Sequence, residues 1–136
     1  MGNVTGGCLC GEIRYEISAE PKLQALCYCI DCQIVSGAAG YAAYGVPIDS
    51  LTLIKGKPAE YNVKSDSGRT NSRRFCATCG TRVWAQLEEL GMATINGLTL
   101  DDREKFQPQM IHYPDSAPNW CLVDRSLDLL PPIPSG

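Results

Sequence analysis

Apolar and polar residues alternate over short stretches of this chain, with glycine or proline separating most of them. In Ile13-Arg14-Tyr15-Glu16-Ile17 a period of two predicts a strand with one buried face. Glu20-Pro21-Lys22 breaks it, and residues 23–26 form a short apolar approach to a cysteine cluster. Residues 33–36 predict one helical turn, closed by Gly37. Residues 38–46 are small and aromatic, with Tyr41 and Tyr44, and read as a buried strand in which Gly40 and the alanines admit another backbone. After a turn at residues 47–50, Leu51–Lys55 and Ala59–Lys64 read as the two strands of a hairpin joined through Gly56-Lys57-Pro58. Residues 65–68 predict another turn, and Thr70–Phe75 a strand. Arg82–Leu87 and Met92–Asn96 read as strands around Glu88-Glu89-Leu90-Gly91. Residues 98–102 begin a short helix, and residues 109–113 form the last strand. Many short strands between frequent turns predict a mainly β domain.

A chain of 136 residues has the length of one domain, assigned to residues 1–130, with a proline-rich tail at 131–136 that is expected to fray. That length buries enough surface to fold without disulfides. The formal net charge is −3, and it falls to about −6 if seven thiols ionise and two zinc ions bind. Clustered positive charge is missing, so nucleic acid is not the expected partner. No run of 18 apolar residues exists, so no membrane partner is expected either. Met1-Gly2-Asn3-Val4-Thr5-Gly6 lacks the basic start and apolar run of a signal peptide, and the expected location is the cytoplasm. Thiols stay reduced there, so clustered cysteines read first as metal ligands.

Seven of the eight cysteines fall into clusters: Cys8-Leu9-Cys10, Cys27-Tyr28-Cys29-Ile30-Asp31-Cys32 and Cys76-Ala77-Thr78-Cys79. Structural zinc sites fill all four tetrahedral positions with protein ligands, whereas catalytic sites keep three and leave one open. Cys8, Cys10, Cys76 and Cys79 make four, and a metal joining them fastens the first strand to the middle of the chain. The alternative is a pair of disulfides, but cysteines one residue apart bridge poorly. Cys27, Cys29 and Cys32 are then three ligands around a second metal. Cys121 or His112 could complete that site and make it structural, or the trio could be redox-active. Cys121 reads as a small buried apolar residue, and His112 as a structural histidine in a strand. An open zinc on three thiolates is a weak Lewis acid towards water and suits an incoming thiol. Hydrolase signatures such as His-Glu-x-x-His or Gly-x-Ser-x-Gly are missing.

These motifs carry a resemblance. Gly7-Cys8-Leu9-Cys10-Gly11, then Cys27-x-Cys29-x-x-Cys32-Gln33 with Ser36-Gly37, then Arg74-Phe75-Cys76-x-x-Cys79-Gly80-Thr81 resemble the glutathione-dependent formaldehyde-activating enzymes, the family of S-(hydroxymethyl)glutathione synthase and centromere protein V. Trp120 after Ser116-Ala117-Pro118 extends the likeness. The resemblance implies an Mss4-like fold of antiparallel β-sheets around a structural zinc on Cys8, Cys10, Cys76 and Cys79. It further implies a catalytic zinc on Cys27, Cys29 and Cys32, hence two zinc ions per chain. The implied activity is that of a carbon–sulfur lyase, which reversibly joins the glutathione thiol to formaldehyde. Many members carry histidine where this chain has Tyr28, a poor general base at neutral pH.

A glutathione-like substrate needs cations for its carboxylates. Arg73 and Arg74 are the candidates, and as strand neighbours they point to opposite faces. The competing expectation is a non-catalytic, zinc-stabilised interaction module, which the loss of histidine at position 28 favours. A chromatin or nucleic-acid partner is a third, disfavoured by the acidic balance.

Overall fold

Alternation becomes burial along the strand that opens the core: Ile13, Tyr15 and Ile17 are almost wholly buried, while Arg14 and Glu16 reach the surface. The computed structural model describes residues 2–64 and 68–130. Residues 65–67 of the expected turn and the tail at 131–136 lie outside the described residues. In chain order the elements are β1 (Val4–Gly7), β2 (Arg14–Ile17), β3 (Leu23–Cys27), α1 (Ile30–Ser36), β4 (Tyr41–Pro47), β5 (Leu51–Lys55) and β6 (Ala59–Lys64). Then come β7 (Thr70–Phe75), β8 (Arg82–Leu87), β9 (Met92–Asn96), β10 (Met110–His112) and β11 (Asp128–Leu129), with short 3₁₀ turns between. The molecule is mainly β, with one α-helix among the described residues. That helix is too short to cross a membrane.

The strands form two sheets. One has three strands in the order β1-β2-β5, and the other has eight in the order β11-β10-β3-β4-β9-β8-β7-β6. One core joins them. Ile13, Tyr15 and Ile17 pack against Tyr44, Val46, Val83, Trp84, Ala93 and Ile95 of the large sheet, with the rings of Tyr15 and Trp84 edge to face at 6.4 Å. Strand alternation then sends Tyr41, Ala43, Ala85, Met92 and Thr94 to the opposite face of the large sheet. That second face carries the cavity described below.

Several expectations change. Leu51–Lys55 and Ala59–Lys64 are strands but not a hairpin: β5 pairs with β2 in the small sheet and β6 with β7 in the large one. Gly56, at φ 87°, takes the chain across between the sheets, so close to Glu12 that a Cβ would stand 2.1 Å from its carbonyl oxygen. β1, which carries two glycines and for which no strand is expected above, pairs along its length with β2. The sheets are mixed: β10 runs parallel to both β3 and β11. The expected helix at 98–102 is instead two 3₁₀ turns, Gly97–Thr99 and Arg103–Lys105. Gly40 admits a side chain, not a backbone: its missing Cβ leaves room for the ring of Tyr28, 2.8 Å from where that carbon would be.

A bulge in β8 decides which residues reach the cavity. Arg74 pairs with Trp84 but Phe75 pairs with Arg82, so Val83 is an extra residue on β8. Val83 and Trp84 therefore both face the core. Arg82 and Ala85, on either side of them, both face the cavity.

Candidate metal centres and the adjoining cavity

Cys8 and Cys10 lie on the loop between β1 and β2, and Cys76 and Cys79 on the tight turn between β7 and β8. Glycines at positive φ, Gly11 at 83° and Gly80 at 80°, close the two loops. Leu9 N–H donates to Thr81 Oγ1 at 3.1 Å and Thr78 Oγ1 to Glu12 Oε2 at 2.7 Å, which holds one loop against the other. The four sulfurs lie within 4.8 Å of one another. Cys10 Sγ stands 3.6 Å from Cys8 Sγ and 3.7 Å from Cys76 Sγ. A tetrahedron with zinc–sulfur bonds of about 2.3 Å has edges of about 3.8 Å, so the spacing fits zinc and is far too long for a disulfide. Amide hydrogens of Ile13 and Cys79 point at Cys8 and Cys76 sulfur at 3.3 and 3.4 Å, an arrangement that favours thiolates. The Thr81 hydroxyl, followed by neighbouring backbone amides, holds the Cys79 thiol down at about 5.

The second cluster is local. Cys27 ends β3, Cys29 is the N-cap of α1, and Cys32 sits in its first turn. Their sulfurs also lie within 4.8 Å of one another. Cys29 Sγ accepts from the Cys32 amide at 3.3 Å, as an N-cap side chain does. Hydrogen bonds from the Cys27 and Cys32 thiols, with that amide, hold Cys29 at about 2, while its partnership with Cys29 pushes Cys27 up to about 11. The donor set is three soft sulfurs, which suits zinc.

Neither candidate fourth ligand belongs to this set. Cys121 lies on the loop after β10 with its thiol 3.8 Å from the Leu122 carbonyl. His112 comes nearer, because β10 pairs with β3 in a register that sets His112 opposite Cys27. Its Nδ1 is 3.9 Å from Cys27 Sγ. Burial holds its pKa below the usual histidine value. Tyr41, opposite Cys27 on the other neighbouring strand, donates its hydroxyl to the Thr94 carbonyl at 2.7 Å, and burial raises its pKa to about 12.

The trio opens on a cavity of about 360 Å³ on the second face of the large sheet, a size ordinary for small-molecule sites. Leu23, Leu87, Leu90, Met92 and Leu130 give it a hydrocarbon wall. Arg82 is its cation. This side chain is 7% exposed, and its guanidinium carbon lies 4.8 Å from the centroid of the Tyr41 ring.

The two arginines expected from the sequence sit elsewhere. Arg73 is buried on the same sheet face but lines a neighbouring pocket with Asp31 and Tyr61. Arg74 pairs with Glu60 at 3.8 Å and donates to Ser72 Oγ at 2.8 Å. Tyr28 packs on Gly40 and does not line the cavity. Sequence reasoning passed over Arg82 because strict alternation puts it on the core face with Trp84. The signal available was a lone arginine directly ahead of the apolar run Val83-Trp84-Ala85.

The family model described as glutathione-dependent formaldehyde-activating enzyme matches residues 3–116. A crystal structure of a Rhodobacter sphaeroides protein, a Northeast Structural Genomics target, is similar in fold, with a TM-score of 0.61 and 20% identity over 76% of this chain and 96% of that one. No curated protein sequence matches the chain.

Proposed function

Because the chain belongs to the glutathione-dependent formaldehyde-activating enzyme family, we propose that it is a zinc enzyme of the carbon–sulfur lyase type. It joins a low-molecular-weight thiol, glutathione in the first instance, to formaldehyde. The observation that carries this reading is the three-sulfur cluster at the mouth of a substrate-sized cavity. Cys27, Cys29 and Cys32 would hold a zinc ion, and Cys8, Cys10, Cys76 and Cys79 a second that serves the fold. At the trio the ion would supply a fixed positive charge that keeps an incoming thiol in its nucleophilic thiolate form.

In the forward direction the sulfur adds to the carbonyl carbon, the π pair moves to oxygen, and that oxygen takes a proton. The thiol loses one proton and the product hydroxyl gains one, so a single carrier balances the step. His112 is that carrier in this reading. Its Nδ1 lies 3.9 Å from Cys27 Sγ and its ring lines the cavity beside that thiol, and burial favours the neutral ring that can accept a proton. It thus supplies the imidazole that position 28 lacks. The apolar wall excludes water, which would otherwise compete with the thiol for the carbonyl carbon.

The test is exchange between glutathione and carbon-13 formaldehyde, followed by NMR on zinc-loaded protein. The expected result is faster exchange with wild type, and none above background with a folded Cys27→Ser variant. No acceleration by wild type overturns the reading. If Cys27→Ser unfolds the domain as badly as Cys76→Ser, the zinc-stabilised interaction module takes its place.

A further inference from the structure

Four polar atoms on residues that line the cavity are buried without a hydrogen-bond partner: Asn71 Oδ1, Arg82 Nε and Nη1, and His112 Nε2. Buried donors and acceptors are nearly always paired, because leaving water unpaired is costly, and most of all for a charged group. Arg82 is the strongest case. None of the ion pairs among the described residues involves it. The Tyr41 ring covers one face of the guanidinium and stabilises its charge, but takes none of its N–H groups. The β8 bulge turns Arg82 out of the core and onto this wall, the kind of re-aiming that bulges provide beside sites.

We propose that Arg82 is the anchor for a carboxylate of the substrate, and that the cavity takes a monoanion with an apolar body. The guanidinium is a rigid planar fork in which Nη2 shares one edge with Nε and another with Nη1, and either edge presents two N–H donors that suit the two oxygens of a carboxylate. The remaining wall, with Leu23, Leu87, Leu90, Met92 and Leu130, offers hydrocarbon to hydrocarbon. A second charge held deep in the cavity would face that wall unpaired. Glutathione therefore places one carboxylate at Arg82 and keeps its other charged end outside. A compact thiol acid or aldehyde acid with an aliphatic body fits better. The inference rests on the trio being the reacting end of the cavity.

Binding of hexanoate, hexanol and 6-mercaptohexanoate to the zinc-loaded full chain, measured by titration calorimetry, tests it. Wild type is expected to bind hexanoate at least about tenfold more tightly than hexanol, the scale of a charged buried hydrogen bond. Arg82→Gln is expected to abolish that preference while zinc content holds. Should it fail to fold, Arg82→Met, which fills the site with hydrocarbon, gives the same reading. Equal binding of acid and alcohol by wild type overturns the proposal, as does a preference that survives in the variants. Loss of zinc with the preference intact assigns Arg82 to balancing thiolate charge, and also overturns it. If hexanoate and 6-mercaptohexanoate bind alike and both depend on Arg82, the anchor stands and the thiol reading of the trio falls.

Discussion

Nδ1 of His112 lies 3.9 Å from Cys27 Sγ while Nε2 has no partner, so one ring links the thiol cluster to the substrate space. If it carries the proton, His112→Gln should lower the rate of thiol–formaldehyde exchange by about a hundredfold or more, the usual weight of general acid–base help. Thiol affinity should change little, and steady-state kinetics separate the two. On the small sheet Arg14 holds Asp101 with a fork, 3.0 Å on one arm, and Thr5 Oγ1 donates to the same carboxylate at 2.7 Å. The Arg14 hydrogen bond, then that from Thr5, holds Asp101 below its ordinary value of 3.8. A lowered folded-state pKa means stability that is present above about pH 4 and lost as pH falls through the folded value. Both side chains are more than a third exposed, at 36% and 48%. Asp101→Asn should therefore cost only about 0.5–1 kcal/mol at pH 7 in urea unfolding, and nothing near pH 2. Residue identity told most about the candidate metal centres, since the cysteines clustered in the sequence are the ones whose sulfurs gather in space. It told least about Arg82 and His112, whose importance comes from a bulge and from a strand pairing across 85 positions.

The seven-residue helix α1 is too short to stand by its own propensity, and none of its residues is buried. Its ends hold it. Cys29 caps the N-terminus through sulfur, and Gly37, at φ 72°, closes the other end with an N–H bond to Gln33 O. Gly37→Ala should cost about 1 kcal/mol of local stability, seen as faster amide exchange across α1 with the sheet core unchanged. Elements with clean alternation were legible in the sequence. β2 needs only its own residues to show its buried face, and Gly37 announces the end of α1. The false hairpin shows the limit. Gly56-Lys57-Pro58 signals a turn, but which strands it joins depends on β2 and β7, which lie outside the local window. β1 was hidden because Gly6 and Gly7 are poor strand formers. A Cβ on Gly6 would meet the Tyr15 hydroxyl and the Thr99 carbonyl, and one on Gly7 the Ile13 carbonyl.

At the scale of the molecule the two cysteine clusters differ in what they join. Cys10 and Cys76 are 66 positions apart, so the four-sulfur centre ties the small sheet to the β7–β8 turn. Cys27, Cys29 and Cys32 span one turn between β3 and α1 and tie nothing distant. The first arrangement makes metal binding part of folding. The second, in the function proposed, would leave a position free towards the cavity that the trio lines. An open centre that takes a substrate thiol is the central claim, and zinc-edge X-ray absorption reads it most directly. One four-sulfur and one three-sulfur site give about 3.5 sulfurs per zinc before substrate is added. Adding a low-molecular-weight thiol is predicted to raise this to about 4. A spectrum that thiol leaves unchanged, or one that shows about 4 sulfurs from the start, would contradict the account.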